Sequence, residues 1–135
     1  MIVTPAAPEH REGWLALRVA LWGAEATDLP EGDGNFLALS NGGVIGFAES
    51  AVRRDYVNGC DSSPVLFLEG LFVDPAWRRQ GVARALIAAV AEWGRAQGCT
   101  EFASDAEIDN IDSHAMHQAL GFAETARVVY FRREL

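Results

Sequence analysis

Two neighbouring features of the chain have the residue types for chemistry. The first is Glu69, the one charged residue in the apolar run Val65-Leu66-Phe67-Leu68-Glu69-Gly70-Leu71-Phe72-Val73. A carboxylate held in such a run is a candidate proton acceptor or partner for a cation. The second is Arg78-Arg79-Gln80-Gly81-Val82-Ala83-Arg84, which opens directly into an apolar helical pattern. Successive backbone N–H groups in a glycine-containing turn form an anion-binding concavity, and the positive end of the following helix adds to it. Gly81 and Ala83 keep side-chain bulk away from an approaching pyrophosphate, while Arg78, Arg79 or Arg84 can pair with its oxygens. The same residues also fit an ordinary capped helix with a basic first turn, an arrangement that opposes the helix dipole.

Further along, Asp105 is followed by Glu107, Asp109 and Asp112, which read together as a solvated acidic loop, with Asp105 itself suited to a turn or cap. His114 and His117 lie in a short helical pattern. Cys60 and Cys99 have no metal spacing, so no metal site is expected. The net charge of −8 disfavours nucleic-acid phosphates and suits a cationic partner.

The elements that must position these groups follow from periodicity. The chain's 135 residues, 50% hydrophobic and 22% charged, fit a single globular domain, 1–135. No apolar run approaches the ~18 residues that span a bilayer, and no secretory signal opens the chain, so a cytoplasmic protein without a membrane anchor is expected. Trp14, Leu15, Leu17, Arg18, Leu21 and Trp22 recur at helical spacing, giving a first helix over Pro8 to Trp22. Gly23 to Asn35 reads as a loop. Phe36–Leu39 and Val44–Arg53 form two strands around the tight-turn signal Asn41-Gly42-Gly43. Val65 to Val73 is apolar on both faces, as in a central strand covered on both sides, and strict alternation puts Glu69 and Leu71 on one face. A helix over Val82–Gln97, a strand at Thr100–Ser104, a helix at Ser113–Leu120 and a last strand at Ala126–Arg132 complete an α/β order with helices on both faces of a mixed sheet.

The pattern Arg-x-x-Gly-x-Ala after such a strand resembles the acyl-coenzyme A loop of the GCN5-related N-acetyltransferases (GNAT). Asn110 matches that family's cofactor-contacting asparagine, and Ala119-Leu120-Gly121-Phe122 its terminal Leu-Gly-Phe signature. The resemblance implies a mixed, mostly antiparallel sheet with splayed middle strands. It implies acetyl-coenzyme A as cosubstrate, held by Leu71, Phe72 and Val73, by the loop residues Arg79, Gln80, Gly81, Val82, Ala83 and Arg84, and by Asn110. It also implies that Leu71 N–H polarises the thioester carbonyl.

Within that family, Tyr56-Val57-Asn58-Gly59, Phe67-Leu68-Glu69-Gly70, Thr100 to Asp105, Ser113 to Phe122 and Val128-Val129-Tyr130-Phe131 resemble the aminoglycoside 6'-N-acetyltransferases. The implied reaction moves acetyl to the 6'-amine of an aminoglycoside antibiotic, giving resistance. By this resemblance Glu69 binds and deprotonates the amine, Asp105 pairs an ammonium, and Trp22 and Tyr56 pack against sugar rings. His117 stands where many family members have a tyrosine that protonates the departing thiolate, and histidine can supply a proton near neutral pH. A homodimer is implied, with Val128 to Phe131 as the suspected contact; the same residues equally suit the monomer's own core.

Two departures stand out: the segment from Gly23 to Gly43 is shorter than its counterpart, and Ala126 replaces an acidic substrate contact. Two other readings keep the cofactor machinery: an acetyltransferase for another polyamine or a protein amine, and a non-catalytic acyl-coenzyme A binding module.

Overall fold

The computed structural model describes all 135 residues. In chain order the elements are β1 (Ile2–Pro5), a 3-10 turn at Pro8–His10, α1 (Arg11–Trp22), β2 (Asn35–Ser40), β3 (Gly43–Arg53), β4 (Val65–Val73), a 3-10 turn at Pro75–Trp77, α2 (Val82–Ala96), β5 (Phe102–Ser104) and α3 (Ile111–Ala119). The strands form one sheet in the order β1-β2-β3-β4-β5. Neighbours from β1 to β4 are antiparallel, and β5 runs parallel to β4. The mixed, mostly antiparallel sheet expected from the sequence is therefore present. Its one parallel pair needs a long crossover, which α2 supplies.

Local chemistry explains the boundaries. Asn41 (φ 50) and Gly42 (φ 80) both take positive φ between the paired residues Ser40 and Gly43, so the β2–β3 connection is the two-residue turn that Asn-Gly favours. The first three residues of the expected first helix form the 3-10 turn instead. Asn110 Oδ1 accepts from Ser113 N–H at 3.2 Å, a cap that starts α3 two residues earlier than periodicity indicates. β1 is absent from the sequence reading: it is a short edge strand ending in proline, with too few residues to show alternation.

The sheet has two covered faces. Phe36, Ala38, Ala48, Leu66 and Leu68 pack under α2 against Leu86 and Val90, while Leu37 and Phe47 pack under α1 against Trp14 and Leu17. This alternation along β2 is the period-2 pattern of a strand buried on both sides. The buried side of α2, Val82, Leu86, Ile87, Val90 and Gly94, follows helical spacing.

The last strand expected at Ala126–Arg132 is not formed. Phe122 stays with the body by stacking edge-on against Phe102 at 5.0 Å, and Thr125 lies against Gly59. Beyond that point the chain meets no strand edge to pair with. An apolar alternating run supplies side chains for a sheet but not a ladder partner, and Val129, Tyr130 and Phe131 are 77%, 84% and 92% exposed.

Candidate active site

The site is a gap between two strands. β4 and β5 pair only from Leu66↔Phe102 to Leu68↔Ser104, after which β4 continues to Val73 while the other chain turns away at Asp105. The register of β3 and β4 explains what the open edge presents. Glu49 pairs with Gly70, but the next residue, Ser50, pairs with Leu68, so Glu69 is the extra residue of a β-bulge. The bulge inverts the strand's orientation. Leu66 N–H donates toward β5, to Glu101 O at 3.1 Å, whereas Asp74 N–H donates toward β3, to Ile45 O at 2.8 Å. Both positions are even-numbered, so the extra residue must lie between them. Leu71 and Val73 consequently aim their N–H groups at the open edge.

The same bulge corrects the expectation that Glu69 and Leu71 share a face. Leu71 packs with the α2-side core. Glu69 instead pairs with Arg53, whose guanidinium lies 3.5 Å from the centroid of Phe67 on the opposite face. A bulge cannot be read from a single strand, because it is a property of the pair.

At one end of the gap, the loop before α2 has the geometry of an anion cradle. Arg79 (φ 63) and Gly81 (φ 81) are both left-handed. The backbone amides of Gln80, Gly81, Val82, Ala83 and Arg84 donate to no backbone carbonyl. These free donors converge at a helix N-terminus, which fits a pyrophosphate. The three arginines divide. Arg78 donates to Val73 O at 3.0 Å and Arg84 to Ala119 O at 3.2 Å, while Arg79 has no partner in the chain. Gln80 reaches back to Ala76 O at 3.4 Å.

At the other end, a cleft of about 160 Å³ brings together Trp22, Glu69, Leu71, Asp105, Asn110 and His117. Six of the residues singled out in the sequence therefore meet in one place. Tyr56 does not line it. Its loop is clasped to the start of β5 by the Glu101 carboxylate, which accepts from Asp61 N–H at 2.9 Å and Ser62 N–H at 2.8 Å, and Tyr56 stands 79% exposed. Hydrogen bonds from Ser62 and Asp61 hold the Glu101 carboxyl below the ordinary carboxylate range.

Glu69 receives both its hydrogen bonds from Arg53 Nη2, at 3.0 and 3.1 Å. The side chains of this pair are 43% and 41% exposed, where an ion pair contributes only about 0–1 kcal/mol. An incoming ammonium can displace Arg53 at small cost. Sequence reading missed Arg53, since the reach from the end of β3 to the bulge of β4 is visible only with the register known.

His117 is tied at both ring nitrogens. Nδ1 lies 2.7 Å from Ser113 O, a group that only accepts, so Nδ1 carries a proton. Nε2 lies 2.8 Å from Ser104 Oγ, at the point where β5 leaves β4. Ser104, which no motif or spacing singles out, thus links the imidazole to the cleft. Asp105 follows it on the rim, exposed.

Trp22, at the last residue of α1, forms the far wall. It packs at 5.7 Å from Phe47 and closely over Gly70, where a β-carbon would stand 2.3 Å from the indole. None of the residues forms a group of acidic, histidine or cysteine side chains able to hold a metal ion.

The Acetyltransferase (GNAT) family model matches residues 4–122. Aminoglycoside N(6')-acetyltransferase type 1 of Salmonella enteritidis is 49% identical over 134 residues, covering 92% of each chain. The enzyme of the same name from Stenotrophomonas maltophilia is 47% identical over 143 residues, covering 98% of this chain and 93% of its own. Among solved structures, AAC(6')-Iy in complex with the bisubstrate analogue CoA-S-monomethyl-acetylneamine superposes with a TM-score of 0.89 at 44% identity, covering 99% of this chain and 98% of that one. The sheet, the cradle and the match over nearly the whole chain agree: this protein belongs to the GNAT acetyltransferase family.

Proposed function

We propose that the protein transfers acetyl from acetyl-coenzyme A to the 6'-amine of aminoglycoside antibiotics and thereby confers resistance. The observation that carries this reading is the bulge at Glu69, which sets a carboxylate beside the outward Leu71 N–H, between an anion cradle and a cleft rimmed by Asp105 and Trp22. A binding module for the cofactor alone has no use for the acceptor half. The names and ligands of the relatives at 44–49% identity support the same chemistry.

Acetyl-coenzyme A supplies an acetyl thioester, and the residues of this chain do the rest. Free amides from Gln80 to Arg84 and the Arg79 guanidinium hold the pyrophosphate, with Leu71, Phe72 and Val73 offering a strand edge to the pantetheine arm. Asn110, though it caps α3, lines the same cleft. Glu69 leaves Arg53 for the acceptor ammonium and takes one of its protons, which frees the lone pair that bonds to the acetyl carbon; the nitrogen's second proton passes to water as the amide forms. Leu71 N–H stabilises the oxygen that gains charge. As the carbon–sulfur bond breaks, the thiolate is protonated by His117 as the imidazolium, through the Ser104 hydroxyl. Asp105 pairs a second ammonium and Trp22 stacks on a sugar ring. A net charge of −8 favours the approach of a polycation.

The direct test is incubation with acetyl-coenzyme A and kanamycin, followed by mass and NMR analysis of the product. One acetyl group on the 6'-nitrogen is expected; an unmodified drug contradicts the reading. Gly81→Ala forces a β-carbon onto a left-handed residue, a strain of about 1–2 kcal/mol. It should raise KM for acetyl-coenzyme A several-fold and leave KM for the drug unchanged, as steady-state kinetics will report.

Acetyl-coenzyme A is an intracellular metabolite, so the reaction belongs in the cytoplasm; no helix is long and apolar enough to cross a membrane. The protein works as a homodimer, with a second copy covering the exposed run Val128 to Phe131. Light scattering should give twice the 14.6 kDa chain mass, and Phe131→Asp should return it to one chain. A single-chain mass for the unaltered protein contradicts the dimer.

A further inference from the structure

Beneath the acceptor wall lies a charged group that the reaction does not touch. Glu49, on β3, is only 3% exposed, and its Oε2 accepts from Trp14 Nε1 at 3.0 Å and from Arg18 Nε at 2.7 Å. Burial pushes its carboxyl above the ordinary value, against the opposing pull of Arg18 and Trp14. A buried ion pair of this kind is weak ground for stability, because desolvation offsets the attraction. Its remaining contacts suggest another use. Arg18 Nη1 donates to the carbonyls of Asp28 and of Ala26, the latter at 3.3 Å, and its guanidinium lies 4.9 Å from the Trp22 ring centroid.

Those contacts bear on two parts of the acceptor side. Trp22 is 45% exposed at the cleft, so its orientation is set by what stands behind it: Phe47, Gly70 and Arg18. The turn that follows, Gly23 to Asp28, carries Glu25 and Asp28 and has few bonds of its own, Ala26 N–H to Gly23 O and Thr27 N–H to Glu25 O. One guanidinium, itself fixed by a buried carboxylate, therefore holds both the aromatic wall and the acidic turn. Arginine suits this because its planar fork can pair, donate and stack at once.

We propose that Arg18, locked by Glu49, is a positioning residue that determines how this enzyme binds its aminoglycoside, acting through Trp22 and the Gly23–Asp28 turn. The inference rests on the acceptor role proposed for that wall.

The test compares the parent protein with Arg18→Lys, Glu49→Gln, Trp22→Ala and the Arg18→Lys/Trp22→Ala double variant. For each, kcat, both KM values and the thermal midpoint are measured with kanamycin and acetyl-coenzyme A. Lysine keeps a charge for Glu49 but lacks the second nitrogen and the planar face. Arg18→Lys should raise KM for kanamycin about 10-fold, leave KM for acetyl-coenzyme A unchanged, and add little in the Trp22→Ala background, because coupled residues are not additive. Glu49→Gln should shift KM for kanamycin in the same direction, and it carries the test if the lysine variant fails to fold. Unchanged KM for kanamycin in a folded variant, equal changes in both KM values, or full additivity overturns the inference while the parent still acetylates. No acetylation by the parent removes the acceptor reading itself, and this inference with it.

Discussion

Glu69→Gln is expected to lower kcat for aminoglycoside acetylation by about 100- to 1,000-fold, the range that a positioned acid–base group contributes. Glutamine keeps the length of the side chain and one carbonyl oxygen to accept from Arg53, so the bulge and the ion-pair partner stay in place. What it loses is the ability to take the amine's proton and to pair with an ammonium. KM for acetyl-coenzyme A should therefore stay within about 2-fold of the parent value, since the cofactor contacts proposed above lie on the β4 edge and the loop rather than on this side chain. Equal turnover would remove Glu69 from the mechanism. Steady-state kinetics with each substrate varied in turn decides the matter.

The second large effect concerns a backbone group. Leu71→Pro removes one N–H, and the bulge makes this substitution informative. Because Leu71 N–H faces the open edge and not β3, proline takes away no ladder hydrogen bond within the sheet. Its expected cost is the loss of a donor to the developing oxyanion, about 100- to 1,000-fold in kcat. Leu71→Ala is the control, since it loses the same packing against the α2-side core but keeps the N–H. A kcat within about 10-fold of the parent for alanine, with the full loss only for proline, assigns the effect to the amide rather than to packing. Equal losses in the two variants would contradict the role of the amide.

Much of the architecture was legible in the residues. The Asn41-Gly42 turn, the continuous apolar run of β4 and the helical spacing of α2 each reflect a local rule, and each element formed where its rule applies. The cradle was legible for the same reason: Gly81 before a helix is a local signal, and its left-handed backbone follows from residue type. Pairwise features were not. The bulge at Glu69 depends on the register with β3, and reading β4 alone put Glu69 and Leu71 on one face. Arg53 and Ser104 likewise join the site only through strand neighbours. Val128 to Phe131 shows the converse failure, a strand-like pattern with no edge to join. Arg18 looked like one polar position on an amphipathic helix; its partner Glu49 lies 31 residues away, and nothing local links them.

The measurement closest to the central claim is thiol release from acetyl-coenzyme A by the purified protein, with a kanamycin or tobramycin bearing the 6'-amine set against an analogue carrying hydroxyl there. Rapid release with the amine and none with the hydroxyl analogue is the predicted result. Equal release with both, or none with either while acetyl-coenzyme A still binds, would contradict 6'-amine transfer.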